Sequence, residues 1–270
     1  MVTAKMNKKR GGRRVGQVDP EKAARAAGVG YGLQADDGAA LPDDAVAAAA
    51  AEGCERVQQC VEALAPHAVL ASTLAALERA LSPGALADVT ELVCYGLGSP
   101  SRSPVARHQL ALVALLRDRL PGLGGAAPAL YDPVFTRVDR AMLGRLGMRV
   151  IEADEGGARR GAAAGTTLFY LAHCESDLCE SLLGANWEEG ALERVCVLGN
   201  SFRTYHERWT LAGNQAGRRR PERLLWLSET GGVTEVGVSD RGYPAVSAFN
   251  DTAAHTFRPD WARWAGRGSG

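Results

Sequence analysis

The sequence predicts an α/β fold: a Rossmann-like, doubly wound, mostly parallel sheet of five or more strands with two N-terminal flanking helices. Three observations carry that expectation. From Leu92 onward, short apolar runs alternate with segments of helical period. The first run stops at Gly96-x-Gly98 and a serine-rich turn just before an amphipathic helix. Small, polar and titratable residues then gather after the runs, whose interiors stay apolar.

In chain order, Met1–Gly16 carries Lys5, Lys8, Lys9, Arg10, Arg13 and Arg14 and no acid. Together with the alanine- and glycine-rich stretch behind it, this makes residues 1–42 a disordered tail by composition. Asp43 and Asp44 suit a helix N-terminus. Val46, Ala50, Val57, Val61 and Leu64 keep helical spacing until Pro66. Leu70, Leu74, Leu77 and Leu81 mark a second helix, stopped by Ser82-Pro83-Gly84. The alternation then places strands at Leu92–Tyr95, Pro128–Tyr131, Arg149–Glu152, Thr166–Leu171 and Arg194–Leu198. Helices fall at Pro104–Leu120, Val134–Leu146 and Ser176–Trp187. Val233–Val238 and Ala245–Phe249 are expected as edge strands. The folded domain is drawn at 43–258, with 259–270 as a flexible tail.

Lysine plus arginine balance aspartate plus glutamate at 31 each, so no overall field favours nucleic acid or a membrane. No run of 18 apolar residues offers a conventional membrane helix, and the basic N-terminus lacks the apolar stretch of a secretory signal. Cys54, Cys60, Cys94, Cys174, Cys179 and Cys196 form no Cys-x-x-Cys pair and no zinc spacing. No metal site is therefore assigned, and free thiols in a reducing compartment are expected. Cytoplasm and nucleus are the expected locations. The basic tail is either a nuclear-localisation or RNA-touching patch or simply a solvated segment. Direct nucleic-acid binding is not expected outside it. The Arg218, Arg219, Arg220 run with Arg223 reads as solvated surface, since no aromatic residues interleave with it.

In an open parallel sheet, ligands bind beyond the carboxyl ends of the strands. The candidate pocket and anion-binding residues are accordingly Gly96, Gly98, Ser99, Ser101, Ser103, Asp132, His173, Asn200 and Ser201. Gly96-x-Gly98 lets the backbone turn tightly with its amides open to a phosphate or carboxylate. The third glycine of the dinucleotide fingerprint is replaced by Ser101. A structural turn and a loop for a nucleotide-like ligand both remain open. Asp132 either accepts from a ribose or caps the helix that follows Pro133. His173, beside Cys174 and Glu175, is the most catalytic-looking cluster, and a satisfied structural histidine is its bland alternative. His108, His206 and His255 are not placed near it by the sequence.

These motifs occur together in one known family. YGLGSPSRSPVARHQLAL from Tyr95, YDPVFTRVDRAMLGRLG from Tyr131 and TLFYLAHCE from Thr167 resemble the "sensitivity to red light reduced" family, the SRR-like domain. So do LLGANW from Leu182, VLGNSF from Val197 and AFNDTAAHTF from Ala248. The resemblance covers about Glu91 to Phe257. One departure is Ala172, where the family commonly carries a proline. Besides residues already named, the matching positions include Gln109, Pro133, Cys174, Asn186, Trp187, Asp251 and Thr252.

The resemblance implies an intracellular regulatory protein of circadian-clock and phytochrome-linked light signalling, with effects on gene expression and unidentified protein partners. Relatives are linked to haem biosynthesis. No established catalytic activity comes with it, so no catalytic residue is carried over. The rival reading is a nucleotide- or adenosylmethionine-dependent transferase using the same sheet edge. A third is direct haem binding by His173 and Cys174, although no cysteine here precedes a proline.

Overall fold

The computed structural model describes residues 41–211, 219–245 and 247–266. The tail expected over 1–42 thus lies almost wholly outside the described residues, as do Arg218 and 267–270.

α1 (Asp43–Leu64) buries Val46, Ala50, Val57 and Leu64 along one stripe. A bend of 75° leads into α2 (Ala68–Leu81), whose first turn is capped by the His67 ring accepting the Val69 amide at 3.2 Å. No single helix among the described residues is long and apolar enough to cross a membrane. β1 (Val89–Tyr95) follows, then α3 (Pro104–Arg119), which opens on a Ser103 cap and a proline in its first turn. β2 (Ala129–Tyr131) comes next. α4 (Arg137–Arg145) starts three residues later than the expected Val134, because Thr136 and Asp139 form a reciprocal capping box there. β3 is only Arg149–Val150. A loop then runs to β4 (Thr166–Leu171), held by Asn186, which accepts the Gly161 amide and donates to the Arg159 carbonyl, both at 2.8 Å. α5 (Ser176–Ala185) and β5 (Val195–Asn200) complete the parallel part.

With β6 at Val233–Gly237 and β7 at Thr252–Phe257, the strand order is β3-β2-β1-β4-β5-β7-β6. β1 to β5 are parallel, with the order reversing between β1 and β4. Each central strand is buried on both faces, as a covered parallel sheet requires. Leu92 and Cys94 of β1 join one core, formed with α1, α2, α3 and α4, while Val93 and Tyr95 join another, formed with α5 and with the helices α6 (Phe202–Leu211) and α7 (Glu222–Thr230).

The C-terminal third departs most from the sequence reading. α6 (Phe202–Leu211) and α7 (Glu222–Thr230) are helices that the periodicity did not reveal. α6 buries only Phe202 and Tyr205, too little for an apolar stripe. β6 (Val233–Gly237) stands near its expected place, but the last strand is β7 (Thr252–Phe257), not Ala245–Phe249. β7 runs antiparallel to both β5 and β6. Its Ala254 joins the core that α2 shares, and its Thr256 hydroxyl donates to the Ala80 carbonyl at 2.8 Å. α8 (Trp261–Ala265) lies within the segment drawn as a tail, and Trp264 packs on Trp187 and Trp226 at 4.7 and 5.0 Å between ring centres.

Candidate functional site

At the end of β1, Gly96 and Gly98 both take positive φ, +70° and +76°. A side chain at Gly96 would also collide with Cys174 Sγ. The turn opens amides toward the carboxyl edge, and those amides meet carboxylates of this same chain. Asp132 Oδ2 accepts the Gly98 amide at 2.7 Å while Oδ1 accepts the Val134 amide at 3.0 Å. Asp139, fully buried, accepts the Ser101 amide and the Ser99 hydroxyl, both at 2.7 Å. Its Oδ2 also takes the Thr136 amide and hydroxyl at 2.9 and 2.8 Å. Ser103 is spent on the Ala106 amide at 3.3 Å as the α3 cap.

Asp132 is 3 % exposed. Burial pushes its carboxyl above the usual carboxylate value, the amides of Val134 and Gly98 pull it down, and nearby Asp139 pushes it up again. Asp132 thus serves as a tie between the ends of β1 and β2.

The β4 end is joined to β1 by Cys174, whose thiol donates to the Tyr95 carbonyl at 3.4 Å. It is joined to β5 by the His173 amide, which donates to Asn200 Oδ1 at 3.1 Å. His173 holds a left-handed backbone, φ +53°, and its exposed ring makes no hydrogen bond, ion pair or ring contact among the described residues. The predicted edge residues are therefore strung along the carboxyl edge by successive bonds, each to its neighbour.

Ser201 belongs to a further cluster that the sequence reading missed. Its hydroxyl donates to Glu235 Oε1 at 2.6 Å and accepts the Thr204 amide at 3.1 Å. Glu235 Oε2 accepts the Arg203 amide at 3.1 Å and lies 3.4 Å from Nε2 of the fully buried His255. Burial alone would raise the Glu235 carboxyl, but His255, the Ser201 hydroxyl and the Arg203 amide outweigh it and hold it down to about 2. A carboxylate at the N-terminus of α6 also suits the helix dipole. Ser201, Glu235, Asp251, Arg203 and His206 line an open cavity of about 570 Å³. Of the residues named from sequence as pocket candidates, Ser201 lines it. Glu235 and His255 were invisible because they lie on antiparallel strands of weak pattern, paired directly across β6 and β7.

Arg223 also leaves the solvated reading given to its run. It pairs with the buried Glu180 at 2.9 Å and stands 5.5 Å from the Trp187 ring centre. Among the described residues no group of three or more metal-ligating side chains comes together.

Three curated proteins align with this chain. "SRR1-like protein" of Mus musculus is 35% identical over 154 residues, 57% of this chain and 60% of that protein. "Protein SENSITIVITY TO RED LIGHT REDUCED 1" of Arabidopsis thaliana is 33% identical over 167 residues, 62% of this chain and 58% of its own length. "SRR1-like protein" of Drosophila melanogaster is 31% identical over 167 residues, 62% of this chain and 54% of its own. The chain thus spans little more than half the length of these relatives. A solved structure, cofactor-bound Rv0187 from MTB, covers 83% of this chain and 94% of its own at TM-score 0.41 and 14% identity, a likeness too loose to carry an argument. The SRR1 domain model matches residues 61–256, from within α1 to within β7. This chain belongs to the SRR1-domain family.

Proposed function

We propose that this protein is an intracellular regulatory protein of light signalling, with output to the circadian clock and gene expression through protein partners. Family membership carries this reading, and one feature of the edge weighs against its anion-binding rival. The Gly98 and Ser101 amides, which a bound phosphate would need, already donate to Asp132 and Asp139 at 2.7 Å each. A second anion on those donors would face two carboxylates at close range, which is strongly unfavourable. Family membership and the relative named for red-light sensitivity support the same direction. The basic segment from Lys5 to Arg14 supports action in the nucleus as well as the cytoplasm. A part in haem biosynthesis rests on the resemblance alone. Direct haem ligation fits poorly, since the Cys174 thiol is spent on the Tyr95 and Ala172 carbonyls at 3.4 and 3.6 Å. The test is to express this chain in Arabidopsis seedlings that lack the red-light relative and to measure growth under red light. A recovered response is expected. Seedlings that accumulate the protein and stay insensitive overturn the proposal.

The runner-up remains a nucleotide- or adenosylmethionine-dependent transferase. It is favoured by the reversal of strand order between β1 and β4, the place where open α/β sheets commonly bind ligands, with Gly96 just after β1 and His173 just after β4. Thermal unfolding with ATP, NAD or adenosylmethionine at millimolar concentration separates the two. A ligand present at about 100 times its Kd would stabilise the fold by roughly 2.7 kcal/mol, readily seen as a rise in Tm. The regulatory reading expects none.

A further inference from the structure

We propose that Cys60 is a nucleophilic thiol assisted by His108 as base and oriented through Tyr243, and that it takes a peroxide as its substrate. The three residues come from α1, α3 and the loop between β6 and β7, away from the carboxylates that close the sheet edge. Cys60 Sγ lies 4.0 Å from His108 Nε2, and His108 Nδ1 lies 2.8 Å from the Tyr243 hydroxyl. A thiol within reach of an imidazole whose other nitrogen is held by a third group is the arrangement that nucleophilic catalysis uses. Tyr243 is itself fixed, its ring packed edge-on against His67 at 5.0 Å and tilted against Phe249 at 5.2 Å between ring centres. The neighbouring Gln109 holds the same loop by donating to the Ala248 carbonyl at 3.1 Å. Cys60 stands one residue ahead of the family-matched span, so the site is assigned on the geometry of this chain alone.

Among the described residues, Cys60 differs from the other thiols. Cys94, Cys179 and Cys196 are buried, Cys174 bonds to backbone carbonyls, and the half-buried Cys54 faces the Met142 carbonyl at 3.7 Å. Burial raises the Cys60 thiol, against the pull of Arg107, and lowers the His108 imidazole, with Arg107 adding to that lowering. The resting pair is therefore a neutral thiol beside an unprotonated imidazole, the state in which a general base is able to act.

The step balances. With Nδ1–H donating to the Tyr243 oxygen, Nε2 takes the proton from Sγ. The sulfur attacks one peroxide oxygen and the O–O bond breaks. The departing hydroxide recovers the proton from His108 as water. Cys60 ends as a sulfenic acid, the sulfur losing the two electrons that the peroxide gains.

The experiment uses the full reduced chain treated with hydrogen peroxide, with sulfenic acid trapped by dimedone and quantified at each cysteine by mass spectrometry. Cys60 is expected to react about tenfold faster than Cys54, and His108→Gln to lower the Cys60 rate by about tenfold while Cys54 is unchanged. Equal rates at Cys60 and Cys54, or a Cys60 rate indifferent to His108→Gln, overturn the proposal. If that variant opens the core, seen as labelling of Cys94, Tyr243→Phe decides instead. It keeps the ring, and is expected to lower the Cys60 rate and shift its pH profile. An unmoved rate and profile overturn the proposal.

Discussion

Asp139, in the first turn of α4, accepts the Ser99 hydroxyl at 2.7 Å from a loop 40 residues earlier in the chain. The same carboxylate closes its own helix cap through Thr136. One buried side chain thus fixes both a helix start and the serine turn after β1. Asp139→Ala should cost about 3 kcal/mol, because it strands several buried donors at once. Urea unfolding of the variant measures this, and a loss near zero would show that the turn holds without it.

The two glycines of the turn should differ in how they are rescued. Gly96→Ala and Gly98→Ala each place a side chain at positive φ, costing about 1–2 kcal/mol. Gly96→Ala adds a clash with Cys174 Sγ, whereas the nearest atom to a Gly98 side chain is Ala106 Cβ at 3.7 Å. Cys174→Ala should therefore recover part of the Gly96→Ala loss and none of the Gly98→Ala loss. Equal recovery in the two double variants would refute the steric account.

Stability should fall in acid through Glu235. Its carboxyl titrates near 4.5 when unfolded and is held down to about 2 in the fold. A group whose folded value is depressed contributes fully above its unfolded value and loses that contribution as pH falls toward the folded one. Urea midpoints should accordingly drop between about pH 4.5 and 2, and Glu235→Gln should flatten that part of the profile. A variant profile parallel to the parent's would sink the assignment.

Trp264→Ala should loosen the C-terminal helix. Trp264 packs edge-on against Trp187 and Trp226, and such aromatic pairs contribute about 0.5–1.5 kcal/mol each beyond area burial. A lower Tm and a red-shifted tryptophan fluorescence are expected. Unchanged emission would mean that the helix leaves Trp187 and Trp226 as shielded as before.

The α/β class, the five parallel strands and the helices between them were legible because each rests on local periodicity. Leu92–Tyr95 and Thr166–Leu171 read as strands whatever surrounds them, and both lie within observed strands. β7 was not legible, since Ala254 acquires its meaning only from the core it shares with α2. α7 starts where Glu180 of α5 accepts the Arg223 and Leu224 amides, a cap that a local reading does not find. Asp132 was named beforehand with two readings open, and the structure assigns it the Gly98 and Val134 amides.

By itself the sequence determined which strands are buried on both faces and where the chain must turn on glycine, because side-chain period and φ > 0 are properties of a few neighbouring residues. Only the tertiary structure decided which groups meet at those turns. Asp132 reaches Gly98 across 34 residues and His108 reaches Tyr243 across 135. No local pattern encodes such pairs. They form because the sheet and its helices pack in one way, and buried polar groups that fail to find partners are too costly for the fold to keep.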